Sequence, residues 1–151
     1  VLLPGAARPV VDAALSARAI VAAERTGAAV PTSPVTDTIK QVNGAGDVIG
    51  TPDRAQLRIA QTPQAFRYDV ILEAHRRAAR DGRDDFTDDA AIAEWAGLTV
   101  ATFEGDAANM KLTTSEDFVR EELRLAALLG DIRTRTGEEG QRLGDGDRGW
   151  L

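Results

Sequence analysis

The two lysines of the chain are the first candidates for binding a charged ligand. Lys40 and Lys111 stand against sixteen arginines in 151 residues. Lys111 follows a strand-like stretch and precedes Thr113 and Thr114, where a helix is predicted to begin. Ligands of open α/β sheets bind where strands end, and the free N–H groups of a helix N-terminus favour anions. Lys111 is therefore a candidate phosphate ligand. A solvated loop lysine is the alternative, and spacing alone leaves both open.

Other cationic and hydroxyl side chains extend this set. Arg8 follows a predicted buried strand and two alanines that would let a ligand approach the backbone, although a strand-end salt bridge would also explain it. Thr62 precedes Pro63, which restricts Thr62 to extended backbone and fixes the direction of its hydroxyl. A polar run covers 36–40, and Arg54 follows it. Together these residues indicate a phosphorylated, hydroxyl-rich small molecule.

Four aspartates surround Thr87 in the segment 84–90. Clustered carboxylates can bind a divalent cation, but carboxylates in a first helical turn are also stabilised by the helix dipole. We favour the capping interpretation. Thr87 is then the expected N-cap of a helix over 88–96, with a hydroxyl that could also reach a ligand.

Composition excludes several classes of site. The chain has no cysteine and one histidine, His75. Disulfides, thiolate catalysis and cysteine-ligated zinc are thus excluded, and His75 lies on a predicted exposed helix face. The formal net charge of −6 argues against general binding to nucleic acid or anionic lipid. Since no apolar run reaches the roughly 18 residues of a membrane span, the sequence predicts a soluble protein. The absence of cysteine is compatible with a reducing compartment and favours the cytoplasm.

Alternating helices and strands must position these residues. Apolar spacing predicts helices over 10–26, 69–80 and 88–96, and a last helix from Thr114 to about 129. Thr114 and Asp117 have the spacing of a capping box. Extended segments are expected at 1–3, 28–35, 57–61 and 98–104. This order predicts an α/β fold with a mostly parallel sheet covered by helices.

A β-hairpin is predicted over 38–51, around a turn at 43–47. It has few large apolar side chains, and an isolated two-stranded ribbon is marginally stable in water. We therefore expect this arm to pack on another subunit or on a ligand, which favours a dimer.

Five strings occur in the order and at the spacing of a known enzyme family. They are AARP at 6–9, PVTDTIK at 34–40, AQTPQAFR at 60–67, FTDDAA at 86–91 and EGDAANMKLTTSED at 104–117. On these strings the chain resembles 2-C-methyl-D-erythritol 4-phosphate cytidylyltransferase, without the N-terminal part of that domain. Residues 134–151 are similar to the opening of 2-C-methyl-D-erythritol 2,4-cyclodiphosphate synthase. The resemblance indicates a piece of a bifunctional chain, with a cytidylyltransferase portion over 1–129 and a linker with a degenerate synthase start over 130–151.

The resemblance implies a Rossmann-like nucleotidyltransferase sheet with helices on both faces and a homodimer joined by protruding β-arms. It implies cytidylyl transfer from CTP to 2-C-methyl-D-erythritol 4-phosphate with release of pyrophosphate, in non-mevalonate isoprenoid biosynthesis, with Mg²⁺. Fixed positive charge and alignment suit this reaction, because the substrate phosphate is itself the nucleophile. Thr38 and Arg54 are implied to reach a partner's site. The full set is catalytic Arg8 and Lys111 and substrate-binding Thr38, Arg54, Thr62 and Thr87.

The chain departs from the family pattern at three places. The glycine-rich loop that holds the CTP phosphates belongs before residue 1. Pro4 and Gly5 replace a His-Asp pair, so the carboxylate expected near the metal and ribose is lost. Glu139 and Gln141 replace the synthase's metal-binding Asp and His, and because glutamine is a poor zinc ligand no metal site is predicted. We accordingly expect the 151 residues alone to be inactive.

Two other hypotheses stay open. The chain could be a non-catalytic dimerisation module derived from the enzyme, in which nucleotide chemistry was lost with the loop and the carboxylate. A relative acting on another sugar or alcohol phosphate is disfavoured by the arm string.

Overall fold

The structure is a computed structural model that describes the backbone of residues 1–142 and the side chains of residues 1–128. The chain divides into two units, Val1–Met110 and Lys111–Leu151. The first unit holds strands β1 (Leu2–Leu3), β2 (Ala28–Pro34), β3 (Gln41–Val42), β4 (Val48–Gly50), β5 (Arg58–Ala60), β6 (Gln64–Phe66) and β7 (Ala101–Glu104). It also holds helices α1 (Ala13–Thr26), α2 (Tyr68–Arg80) and α3 (Asp89–Trp95). Helix α4 (Ser115–Arg142) lies in the second unit.

β2 is the central strand of the larger sheet. Its start pairs antiparallel with β6 and its end antiparallel with β5, while β7 runs parallel on its other side. β1 pairs antiparallel with β6. The prediction of a mostly parallel sheet is therefore wrong for the described residues. The chain reverses through the arm after β2 and runs back along the same strand, and such a reversal can only give antiparallel pairs.

Small residues of β2 pack into the core on both faces of the sheet, because successive strand residues point to opposite sides. Ala28 and Val30 pack with Phe66 against α2 and α3. Ala29, between them, packs with Ala65 against α1. Helices thus cover both faces, which confirms the fold predicted from the sequence.

Helix α1 confirms the predicted helix over 10–26, except that it begins at Ala13. The Oδ1 of Asp12 accepts a hydrogen bond from the Ala14 amide at 3.2 Å and caps its first turn. Gly27 ends it at a φ of +86°, a conformation that favours glycine. Ala19 and Ala23 of the helix pack against Ala29 and Ala65 of the sheet. Because all four side chains are small, the backbones of helix and sheet approach closely.

The predicted hairpin over 38–51 is confirmed as the antiparallel pair β3 and β4, which we call the arm. Asn43 shapes its turn, because Oδ1 accepts from the amides of Ala45 at 3.0 Å and Asp47 at 2.9 Å. At its base the Nζ of Lys40 donates to Thr51 Oγ1 at 2.8 Å. Its large apolar side chains lie in solvent: Val48 and Ile49 are each 59% exposed.

The N-cap of α3 is Asp88 and not Thr87, so that prediction is wrong. Asp88 Oδ1 accepts from the Ala91 amide at 2.8 Å, while Thr87 stays exposed just outside the helix. A carboxylate at this position satisfies a free amide and also meets the positive end of the helix dipole.

Helix α4 begins with the predicted capping box. Thr114 Oγ1 accepts from the Asp117 amide at 3.2 Å, and Asp117 Oδ2 accepts from the Thr114 amide at 2.9 Å. Hydrogen bonds from Thr113 and Thr114 lower the pKa of the Asp117 carboxyl to about 2. The helix runs to Arg142, beyond the end predicted near 129, because arginine, glutamate and glutamine between the glycines of 130–142 are good helix formers. Over residues 1–142, no helix combines the length and apolar character needed to cross a membrane.

The close contact of α1 with the sheet gives a test of the packing. We expect Ala19→Leu to lower the free energy of unfolding by about 1–3 kcal/mol, because the added side chain has no space against Ala29 and Ala65. The matched control is Ala14→Leu on the exposed side of α1, with an expected change within about 0.5 kcal/mol. Urea unfolding of the chain measures both. Equal effects would contradict the packing.

Candidate active site

A side-chain amide joins the loop after β7 to the end of β5. Gln61, 5% exposed, donates from Nε2 to the Asp106 carbonyl at 2.9 Å and accepts at Oε1 from the Asp106 amide at 3.0 Å. The amide thus replaces a pair of backbone hydrogen bonds. Gly105 makes room for it, since a Cβ there would overlap Gln61 Oε1 and lie 3.0 Å from the Thr32 carbonyl oxygen.

Asn109 brings two of the predicted site residues, Arg8 and Thr62, to the same place. The Arg8 guanidinium donates to the Asn109 carbonyl through Nη1 and to the Ala60 carbonyl through Nη2 at 3.3 Å. Asn109 Nδ2 donates to the Thr62 carbonyl at 2.6 Å. We call the three residues Arg8, Thr62 and Asn109 the Arg8 network.

The positive charge of Arg8 is not compensated within the described part of the chain. Both acceptors of its guanidinium are neutral backbone carbonyls, and none of the ion pairs among residues 1–128 includes it. Partial burial lowers the pKa of Arg8 from its ordinary value, yet an arginine stays charged at neutral pH. A half-buried, unpaired cation of this kind favours an anionic ligand.

Gly5 approaches Thr62 closely in the turn that leads to Arg8. The Gly5 amide donates to Thr62 Oγ1 at 3.1 Å, and the Gly5 carbonyl accepts from the Arg8 amide at 2.9 Å. A Cβ at Gly5 would lie 2.9 Å from Thr62 Oγ1, so a larger residue requires that threonine to shift. Because Thr62 Oγ1 already accepts from Gly5, its O–H remains to donate to a ligand.

Thr87 is held to the sheet through a second buried amide. Gln64, 2% exposed, donates from Nε2 to Asp88 Oδ2 at 2.7 Å and accepts at Oε1 from the Ala90 amide at 3.0 Å. These bonds hold the start of α3 against Gln64 of β6. Thr87 comes directly before the N-cap of this helix, and Gln64 lies two residues after Thr62 in the sequence. The hydroxyl of Thr87 itself is exposed and makes no hydrogen bond within the described residues.

The other predicted site residues lie outside the Arg8 network. Thr38 is exposed where the arm begins, and Arg54 donates from Nη1 to the Thr36 carbonyl at 2.6 Å. Lys111 is exposed at the start of the second unit, four residues before α4. All three stay predictions as substrate ligands.

Three of the four aspartates around Thr87 have structural partners. Asp85 accepts from Arg83 at 2.7 and 2.9 Å, which lowers the pKa of its carboxyl. Asp88 caps α3, and Asp89 Oδ1 lies 2.9 Å from His75 Nε2. In the part of the chain that the structure describes, no three His, Asp or Glu side chains converge as a metal ion would require. These contacts support the capping interpretation. Glu139 and Gln141 lie beyond the described side chains.

Sequence reasoning missed the three buried amides, Gln61, Gln64 and Asn109. All three stand inside strings that carry the family resemblance, but their types and spacing indicate no chemistry. Only their burial together with paired partners reveals what they do, and burial of a single amide is not readable from a local pattern.

Comparison with known proteins places the chain in a family. The family model for 2-C-methyl-D-erythritol 4-phosphate cytidylyltransferase matches residues 1–127. The bifunctional enzyme IspD/IspF of Rhodopseudomonas palustris BisA53 is 83% identical over all 151 residues, and that of Nitrobacter hamburgensis is 76% identical over 147 residues. The chain spans 38% and 36% of these two relatives.

Solved structures of this family share the fold. The cytidylyltransferase from Thermus thermophilus superposes with a TM-score of 0.72 at 40% identity, covering 81% of this chain and 60% of that one. The bifunctional IspDF from Campylobacter jejuni gives a TM-score of 0.62 at 25% identity, covering 77% of this chain and 28% of that one. With both its sequence and its fold matched, the chain belongs to the 2-C-methyl-D-erythritol 4-phosphate cytidylyltransferase family.

Proposed function

We propose that the chain forms the part of a cytidylyltransferase that binds the phosphate of 2-C-methyl-D-erythritol 4-phosphate. The observation that carries this proposal is the uncompensated guanidinium of Arg8, oriented by two carbonyls beside the free O–H of Thr62. A cation and a hydroxyl donor held in this way suit a phosphomonoester. The family membership supplies the reaction in which such a phosphate takes part.

In the proposed reaction, an oxygen of the substrate phosphate attacks the α-phosphorus of CTP. One P–O bond forms, the bond between the α-phosphorus and its bridging oxygen breaks, and pyrophosphate leaves with the electron pair. No protein nucleophile takes part, so the chain has to align two polyanions and offset their charge.

The described residues suit those two tasks. Arg8 uses two of its five N–H donors on carbonyls and keeps three for phosphate oxygens. Thr62 adds its O–H, and Thr87 adds a hydroxyl at the start of α3. Lys111, exposed at the start of the second unit, is proposed separately as a cation for the substrate phosphate.

The arm is proposed to join two copies of the chain. Its apolar side chains Val42, Val48 and Ile49 are all more than half exposed, and two strands cannot bury them alone. Thr38 and Arg54 would then serve the site of the partner copy.

Magnesium stays an expectation from the resemblance. At the position of the family's carboxylate, Gly5 supplies no oxygen ligand from a side chain. The nearest aspartate in the loop after β7, Asp106, uses Oδ1 to accept from the Ala108 amide at 2.8 Å. The Arg8 network therefore does not fit a magnesium site, and we derive no step through the ion.

Activity has to be tested in a longer protein, because the chain spans only 38% of its relative from R. palustris BisA53. We define the chimera as that relative with its matching segment replaced by these 151 residues. We propose that the chimera is a multifunctional transferase of isoprenoid biosynthesis. A reducing compartment such as the cytoplasm suits a segment without cysteine. Gly5 favours the non-catalytic alternative, and turnover of both substrates by the chimera would reject it.

In the chimera, we expect Lys111→Ala to lower kcat/KM for 2-C-methyl-D-erythritol 4-phosphate by about 100-fold or more, because one of the proposed cations is lost from the phosphate. Pyrophosphate release measures the rate. The matched control is Arg120→Ala, which removes an exposed cation from the same unit and should change kcat/KM by less than about threefold. Equal rates for the two variants would remove Lys111 from the site.

The exchange of arms between copies predicts complementation. Lys111→Ala and Arg54→Ala chimeras are each expected to be nearly inactive. When the two are co-expressed with different tags, random pairing puts half of the dimers in mixed form, each with one intact site, so activity should return to about a quarter of the unsubstituted value. Activity no higher than the mean of the two variants alone would contradict an arm that serves its partner.

A further inference from the structure

Asn109 is as deeply buried as any polar residue in the described part of the chain, with 2% of its surface exposed. Its backbone amide donates to the Asp106 carbonyl at 3.0 Å, its carbonyl accepts from Arg8, and its Nδ2 donates to the Thr62 carbonyl. Asn109 is therefore hydrogen-bonded to Asp106 in its own loop, to the proposed cation Arg8 and to the proposed hydroxyl donor Thr62. No other described residue bonds both to the guanidinium of Arg8 and to Thr62.

The side chain of Asn109 differs from the two other buried amides. Gln61 and Gln64 each have both amide atoms hydrogen-bonded. Among the described residues, Asn109 Oδ1 is instead the single buried side-chain nitrogen or oxygen atom without a hydrogen-bond partner. A buried acceptor that lacks a hydrogen-bond donor lowers the stability of the fold. A side chain retained for stability alone would be expected to avoid this cost.

The hydrogen bonds of Asn109 indicate that its side chain orients the Arg8 guanidinium. Nδ2 ties Asn109 to the Thr62 carbonyl, and this tie fixes the place of the Asn109 carbonyl that Arg8 uses. The second acceptor of Arg8, the Ala60 carbonyl, lies two residues before Thr62. Both carbonyls that aim the guanidinium are therefore held to one short segment, 60–62, and Asn109 is the link between them.

We propose that Asn109 is a positioning residue that aims the Arg8 guanidinium at the substrate phosphate and touches no substrate itself. The proposal rests on the proposed function, because it requires that Arg8 bind the phosphate. Its consequence is that loss of the Asn109 side chain acts through Arg8. A residue that only stabilised the loop would act independently of Arg8.

The test is a double-mutant cycle in the chimera, with Arg8→Ala, Asn109→Ala and both together. We expect Arg8→Ala to lower kcat/KM for 2-C-methyl-D-erythritol 4-phosphate by about 100-fold and Asn109→Ala to lower it by about 10-fold. The double variant should match Arg8→Ala within about threefold, because no guanidinium remains to be aimed. KM for CTP should change by less than about threefold in each variant.

Two further variants keep the test independent of folding. Asn109→Asp preserves the side-chain volume but replaces the Nδ2 donor with an oxygen that faces the Thr62 carbonyl, so it should lower kcat/KM at least as much as Asn109→Ala. Ala78→Leu overpacks a buried position near the end of α2, which bears no residue of the Arg8 network, and below its unfolding temperature its kinetics should stay within about threefold of the unsubstituted chimera. Thermal unfolding of every variant is recorded in parallel.

The outcomes separate this inference from the proposed function. If Arg8→Ala is strongly impaired and the double variant falls by the product of the two single effects, Asn109 is not a positioning residue, while the phosphate site stands. If Arg8→Ala retains full activity, the proposed function of Arg8 fails and the role of Asn109 fails with it. Unchanged kinetics for Asn109→Ala and Asn109→Asp would overturn the inference alone.

Discussion

Hydrogen bonds between the loop at 105–110 and the segment 60–62 set the geometry on which the candidate site depends. Gln61 binds both backbone groups of Asp106, and Asn109 binds the carbonyl of Thr62. Side-chain amides can make these bonds where backbone ladders cannot, because β5 and β7 pair with opposite sides of β2 and not with each other. Arg8 reaches the same place from the other end of the first unit. The result is a cation held among neutral backbone groups, which suits the anionic ligand proposed for it.

The sheet allows this arrangement because its centre is built from small residues. Ala28, Ala29 and Val30 let helices approach both faces of β2. Close helices fix the strand ends, and the loops that bear Arg8, Thr62 and Asn109 begin at those ends. Bulky residues in β2 would separate the layers and with them the loops.

Local patterns in the sequence predicted the helices and the arm well, because amphipathic spacing, caps and turns are properties of neighbouring residues. Strand direction was wrong, since pairing depends on how the chain returns after the arm. Thr87 was wrong as a cap because Asp88 caps the Ala91 amide, and the Ala90 amide within reach of Thr87 donates to Gln64 instead. Arg8 and Thr62 were found as candidates from residue type and family strings. Asn109 was not, because its role depends on partners 47 and 101 residues away.

The most direct test of the account is a crystal structure of the chimera with 2-C-methyl-D-erythritol 4-phosphate bound. We predict that the substrate phosphate lies within hydrogen-bond distance of the Arg8 guanidinium and the Thr62 hydroxyl, while Asn109 keeps its bond to the Thr62 carbonyl. A phosphate bound elsewhere, with Arg8 still facing only its two carbonyls, would contradict the account.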